Sequence, residues 1–123
     1  MEDLRIYKKA ELLYKTIHAS LLNFPKRERY GLTKEIEQSL LNVLKYIQLA
    51  NKVKSKRKTY IEETDGNLHI CKALMKLSLD FGYISQNYYI VLERSFIELS
   101  KMISSWMKST STNKKIIFMD III

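Results

Sequence analysis

The sequence predicts an all-α protein, an up-down-up-down four-helix bundle, on three observations. Apolar residues recur at steps of three and four along four separate stretches, the mark of amphipathic helices. Proline occurs once and glycine three times in 123 residues, too few breakers for a turn-rich β fold. The connections between the periodic stretches are short, which makes consecutive helices antiparallel neighbours. Apolar residues make up 46 % of the chain, enough to bury a core within one domain.

The first helix is expected over about 3–23, with Ile6, Ala10, Leu13, Ile17 and Leu21 as its stripe and Tyr7 and Tyr14 beside it. Pro25 pushes Phe24 out of helical geometry and ends it. The second helix is expected from about 26 to 53. Leu32, Ile36, Leu40, Val43, Ile47 and Ala50 form its seam, and Leu41, Leu44 and Leu49 widen the apolar arc. An arc that wide has two readings: a central helix, or a core face plus a contact with another subunit. Gly31 falls within the first turns, at a cost of roughly 1 kcal/mol against alanine, and marks either close packing or a bend.

Residues 52–58, Lys-Val-Lys-Ser-Lys-Arg-Lys, form the next turn, with Ser55 as candidate cap of a third helix over about 56–81. One line of that helix is Ile61, Leu68, Cys71, Met75 and Ser78; a second is Ile70, Leu74, Leu77 and Phe81. Thr64-Asp65-Gly66-Asn67 is poor helix material, but the apolar phase continues across it, which predicts one continuous helix with a weak spot. Gly82 is a natural terminator. Ser85 caps a fourth helix over about 85–108, whose seam is read as Tyr88, Val91, Ser95, Leu99, Met102 and Trp106, with Leu92, Phe96 and Ile103 alongside. Ser109 to Asn113 reads as a linker. The segment Ile116-Ile117-Phe118-Met119-Asp120-Ile121-Ile122-Ile123 is β-branched and free of proline, as in a strand or an aggregation-prone tail. The expected organisation is a bundle at 1–108 and a C-terminal tail at 109–123, strand-like or disordered.

Catalytic and metal-binding patterns are missing from the sequence. Cys71 is the single cysteine, set among apolar residues, and reads as a small buried hydrophobe. His18 and His69 have no ligand partner at a convincing spacing. Glu62, Asp65 and His69 share one helix face, but ligands from one helix need partners elsewhere. There is no pair of Glu-x-x-His motifs, no phosphate-cradling glycine loop, no nucleophile elbow and no kinase signature. The expectation is therefore a non-enzyme with no cofactor and no metal. The N-terminus lacks an apolar signal core and no apolar run approaches the ~20 residues of a membrane span, so the expected location is cytoplasmic, with no membrane partner.

Charge is the remaining signal. The formal net charge is +8 and the sequence pI about 9.5, which suits a polyanionic partner. Lys52, Lys54, Lys56, Arg57 and Lys58 form one dense cluster, and Lys26, Arg27 and Arg29 lie at the other end of the second helix. Arg94, Lys101 and Lys108, seven apart, form one line on the fourth. The plain reading of these residues is a solvated face; the sharper one is backbone contact with RNA or DNA, weakly sequence-specific and steeply salt-dependent. Tyr30, between Arg29 and Gly31, is the candidate for base stacking. Tyr7, Tyr14 and Tyr88 read as core or subunit contacts first.

The stretch Phe24-Pro25-Lys26-Arg27-Glu28-Arg29-Tyr30-Gly31-Leu32, with the Glu-Ile-Glu helix after it, resembles the Pro-Lys-x-x-Arg-aromatic-x-Leu segment of a group of four-helix proteins. That group includes the ribosomal-RNA intervening-sequence proteins and the accessory variability determinant (Avd) of diversity-generating retroelements. Leu40 to Asn51, an apolar helix ending in Ala-Asn, looks like the second of these. So do the basic turn Lys52–Lys58, the join Leu77-Ser78-Leu79-Asp80-Phe81-Gly82-Tyr83-Ile84-Ser85, and Ser105-Trp106-Met107-Lys108. The Ile-Pro-x-Asn-Ile-Ala-Glu-Gly-type segment usual in intervening-sequence relatives is absent. The resemblance covers about residues 3–108, and the tail from Ser109 has no counterpart in it. It implies a non-enzymatic accessory protein and a homo-oligomer, a pentameric barrel. Such a protein binds the reverse transcriptase and nucleic acid (template RNA or cDNA) through a basic surface and supports mutagenic reverse transcription and retrohoming. The alternative is an intervening-sequence-type protein or another oligomeric helical adaptor.

Overall fold

The computed structural model of the chain describes residues 4–122, and their side chains over residues 4–110. Four helices follow in order: α1 (Leu4–Leu21), α2 (Leu32–Lys52), α3 (Arg57–Asp80) and α4 (Gln86–Ile122). No strand occurs among the described residues. α2 packs most extensively against α3; α3 with α4, α1 with α2 and α1 with α4 complete the ring, and among the described residues the diagonal pairs have no close backbone approach. This is the arrangement of an antiparallel four-helix bundle.

The core follows the predicted stripes in the first three helices. Ile6, Ala10, Leu13, Ile17 and Leu21 of α1, the α2 seam from Ile36 to Ala50, and Ile61, Leu68, Cys71 and Met75 of α3 are all buried. Leu32 is half-buried and packs against this core. α3 is continuous through the weak spot, where side chains add bonds to the helix itself: the Thr64 hydroxyl donates to the Tyr60 carbonyl at 2.8 Å and Asn67 Nδ2 to that of Glu63 at 2.8 Å.

Four local expectations are corrected. α2 does not begin at Lys26. Lys26–Glu28 is a separate 3-10 turn, fastened because Phe24 is buried and packs at a tilt against the Tyr83 ring, centroids 5.3 Å apart, while the Tyr83 hydroxyl donates to Glu28 Oε2 at 2.8 Å. Gly31 therefore stands at the N-cap of α2 and not within its first turns. Ser55 does not cap α3; it lies in a second 3-10 turn, Lys54–Lys56, and the N-cap position is held by Lys56 without a side-chain bond. The α4 seam is Tyr89, Leu92, Phe96, Leu99, Ile103 and Trp106, and Val91 is 59 % exposed. Tyr88 sits at the rim, its hydroxyl donating to the Thr16 carbonyl of α1 at 3.2 Å, which rotates the helix away from the predicted face. The second line of α3 is surface: Ile70, Leu77 and Phe81 are exposed and only Leu74 is half-buried.

The joins that were predicted do form. Gly82 has φ +79°; its N–H donates to the Leu79 carbonyl at 2.9 Å and that of Tyr83 to Ser78 at 2.9 Å, the paired bonds of a Schellman ending. The Tyr88 N–H donates to Ser85 Oγ at 3.1 Å, which makes Ser85 the N-cap of α4. The backbone of α4 runs on through 109–113, which holds no glycine or proline to stop it, and the helix extends to Ile122. Side chains of the expected tail beyond Thr110 lie outside the described residues. No described helix is long and apolar enough to cross a membrane.

Candidate nucleic-acid and partner interface

The antiparallel path puts the basic residues at opposite ends of the bundle. α2 has 21 residues, so its ends are about 30 Å apart at ~1.5 Å per residue. At the α2 start, Lys26, Arg27 and Arg29 are exposed beside the Phe81–Ser85 join. Arg27 Nη2 donates to the Tyr83 hydroxyl at 3.3 Å, so one cation is held by the aromatic cluster of Phe24, Tyr83 and Phe81. Tyr30 is 83 % exposed on the same turn, in keeping with a stacking surface and not with the core.

At the far end Lys52, Lys54, Lys56 and Lys58 are exposed. Arg57 is different. It is 9 % exposed; its Nε donates to the Ala50 carbonyl at 2.8 Å and its Nη2 to that of Asn51 at 3.4 Å. Those carbonyls belong to the last turn of α2, where acceptors have no partner within the helix and the dipole favours a cation. Arg57 thus closes α2 from the first residue of α3. This removes it from the predicted contact surface and leaves the four lysines displayed around it.

Arg94, Lys101 and Lys108 are all exposed on α4. Two of them face carboxylates across shallow clefts between α3 and α4: Lys101 shares one with Asp65 and His69, and Lys108 shares another with Glu62 and Asp65. Lys72 lines the first of these clefts as well, so cations and carboxylates alternate along the stripe. None of the exposed predicted cations enters an ion pair among the described residues, where the pairs are Lys9–Glu98, Lys15–Glu11, His18–Glu37 and Lys76–Asp80.

No group of three His, Cys, Asp or Glu side chains able to hold a metal occurs among the described residues. Cys71 is buried, and that burial pushes its thiol up to about 12, against a small lowering from Ser39; it is no nucleophile at neutral pH.

Sequence reasoning missed two features. The exposed line Ile70–Leu77–Phe81 was legible as apolar but not as surface, because the two lines of α3 have the same period. The cluster of Tyr14, His18 and Glu37 joins α1 to α2 with no local signal, since its members lie 19 or more positions apart across the turn.

The fold is that of a small basic four-helix bundle with exposed cations at both ends of α2. The chain belongs to the bAvd-like family, whose family model matches residues 4–110. No curated relative matches it. The family is one of accessory, non-catalytic proteins of the retroelement.

Proposed function

We propose that this chain is a subunit that holds nucleic acid and the reverse transcriptase of a diversity-generating retroelement on the basic surface of a homo-oligomer, and so supports mutagenic copying and retrohoming. The observation that carries the reading is the set of unpaired cations at both ends of α2, which family membership sets in the context of reverse transcription. Lys52, Lys54, Lys56 and Lys58 surround a turn fixed by Arg57, a rigid frame of point charges suited to phosphate. Lys26, Arg27 and Arg29 stand next to exposed aromatics, a mixed surface suited to unstacked bases or to protein. The chain holds and positions; the base misincorporation belongs to the polymerase.

The test is RNA binding by fluorescence anisotropy across a salt series, with capture of the purified reverse transcriptase alongside. Lys52→Glu, Lys54→Glu and Lys58→Glu together are expected to weaken RNA binding by tenfold or more. The slope of log affinity against log salt should shrink by roughly 0.7 for each single-strand phosphate left without its lysine, with helicity unchanged. Affinity and slope equal to the parent protein's at moderate salt would sink the assignment of this end.

A further inference from the structure

Two faces of the bundle carry opposite charge on the same apolar spacing. The outer face of α1 covers an arc of roughly 100° at 3.6 residues per turn. It holds the cations Arg5, Lys8 and Lys15 and the exposed leucines Leu4, Leu12 and Leu22, the last two 66 % and 84 % in water. Glu11 borders it and reaches Lys15 at 3.8 Å. Arg5 and Lys8 enter no ion pair among the described residues. The outer face of α3 is the counterpart. It joins Glu62, Glu63 and Asp80 to the exposed Ile70, Leu77 and Phe81. Asp80 is engaged by Lys76 at 2.7 Å, and Glu62 borders the cleft that Lys108 shares. Glu63 is exposed and enters no ion pair among the described residues.

Charge and apolar exposure together select the occupant. Nucleic acid on α1 would meet the cations but leave three leucines in water. α1 against α1 sets cation on cation, and α3 against α3 sets carboxylate on carboxylate. α1 against α3 matches both the charge and the apolar surface. The spacing agrees: Arg5, Leu12 and Ala19 are seven apart, as are Glu63, Ile70 and Leu77, and Leu22 and Phe81 each follow a turn later. In this bundle α1 and α3 run the same way and start at the same end. A second copy oriented like the first therefore offers its α3 parallel to α1, in that register. We propose that the outer face of α1 in one copy docks on the outer face of α3 in the next. Arg5 and Lys8 then meet Glu62 and Glu63, Leu12 meets Ile70, and Leu22 meets Phe81. The contact is head to tail, so every copy uses both faces. α1 and α3 are a diagonal pair, and their use leaves the outer faces of α2 and α4 uncovered, with Arg94, Lys101 and Lys108 on the latter. The pairing rests on the homo-oligomer of the proposed function and assigns the two faces that build it.

Sedimentation velocity over a concentration series reads the self-association of the full chain and of three variants. Arg5→Glu with Lys8→Glu sets acid against acid across the contact, and Glu62→Lys with Glu63→Lys sets base against base. Each pair is expected to weaken association by at least about tenfold, with helicity and melting temperature kept because all four positions are exposed. The combination of all four substitutions restores opposite charges across a head-to-tail contact and should return association to within about threefold of the parent. A contact of α3 with α3 gives no such rescue, since the combined variant still sets lysine on lysine there. Absence of rescue, or an α1 pair that associates like the parent, overturns the pairing and leaves the homo-oligomer standing through another contact. A parent protein that stays monomeric at tens of micromolar overturns the homo-oligomer and the pairing together.

Discussion

Arg57 shows how one side chain can leave a charge cluster and join the scaffold. Its neighbours Lys54, Lys56 and Lys58 are exposed, while its guanidinium is committed to the carbonyls that end α2. Truncation to alanine removes a charge-assisted bond and exposes those acceptors, so Arg57→Ala is expected to destabilise the fold by about 1.5–3 kcal/mol. Lys54→Ala and Lys58→Ala should each fall within about 0.5 kcal/mol of the parent, all read by urea denaturation. The spacing Lys-x-Lys-x-Lys-Arg-Lys offers no means of singling out Arg57, because only the backbone turn decides which cation points inward. Cys71 makes a pH prediction. Its thiol is raised from 9.0 to about 12 by burial, so above pH 9 the unfolded chain loses this proton while the folded chain keeps it. The stabilising contribution is complete below pH 9 and is lost as pH rises toward 12. Stability measured from pH 8 to 10.5 should therefore fall less steeply in Cys71→Ala than in the parent, although the variant starts lower because of the cavity. Parallel curves would contradict this.

Helix ends carry the next scale. Gly82 and Gly66 both leave room for a Cβ, with nothing within 4 Å, so backbone conformation alone separates them. Gly82 sits at φ +79°, where an L-residue is strained, and Gly82→Ala should cost about 1–2 kcal/mol. Gly66 lies inside α3 in ordinary helical geometry, and Gly66→Ala should add about 0.4–1 kcal/mol. Thermal melts monitored by circular dichroism check both signs in one experiment. Elements were legible where a local rule decided them. Gly82 and Ser85 were read correctly because a Schellman ending and an N-cap need only nearby residues. The start of α2 was not, because Lys26–Glu28 is helix-compatible on its own and is set apart by Tyr83, 55 positions on. The face of α4 was read in part: Leu99 and Trp106 are buried with Leu92, Phe96 and Ile103, but Tyr89 takes the place of Tyr88 and Val91 is exposed, because two overlapping apolar ladders run along the helix.

At the scale of the whole molecule, the outstanding demand is the apolar surface. Ile70 is 51 % exposed and Phe81 56 %, with Leu77 between them on the same side of α3, so one helix presents a continuous apolar line to water. That line ends beside Tyr83 and the cations of the α2 start. Apolar exposure of this kind, next to charge, is what a protein–protein contact covers. The wide arc predicted for α2 is largely used inside the bundle, where α2 packs most extensively on α3, and leaves Leu41 exposed while Leu44 and Leu49 are half-buried. The proposed subunit contact therefore shifts from α2 toward the outer side of α3. Ile70→Glu with Leu77→Glu adds charge to positions that hold up no core, so each protomer should keep its helicity and lose no more than about 1 kcal/mol of stability. In a homo-oligomer closed through this line, a buried unpaired carboxylate at every interface is costly, and multi-angle light scattering should report monomer for the variant against a larger species for the parent. A parent protein that is itself monomeric at tens of micromolar would remove the homo-oligomer from the proposed function. An unchanged assembly in the double variant would move the contact to another face, with Ile90, Val91 and Ile97 of α4 the next exposed apolar positions to substitute.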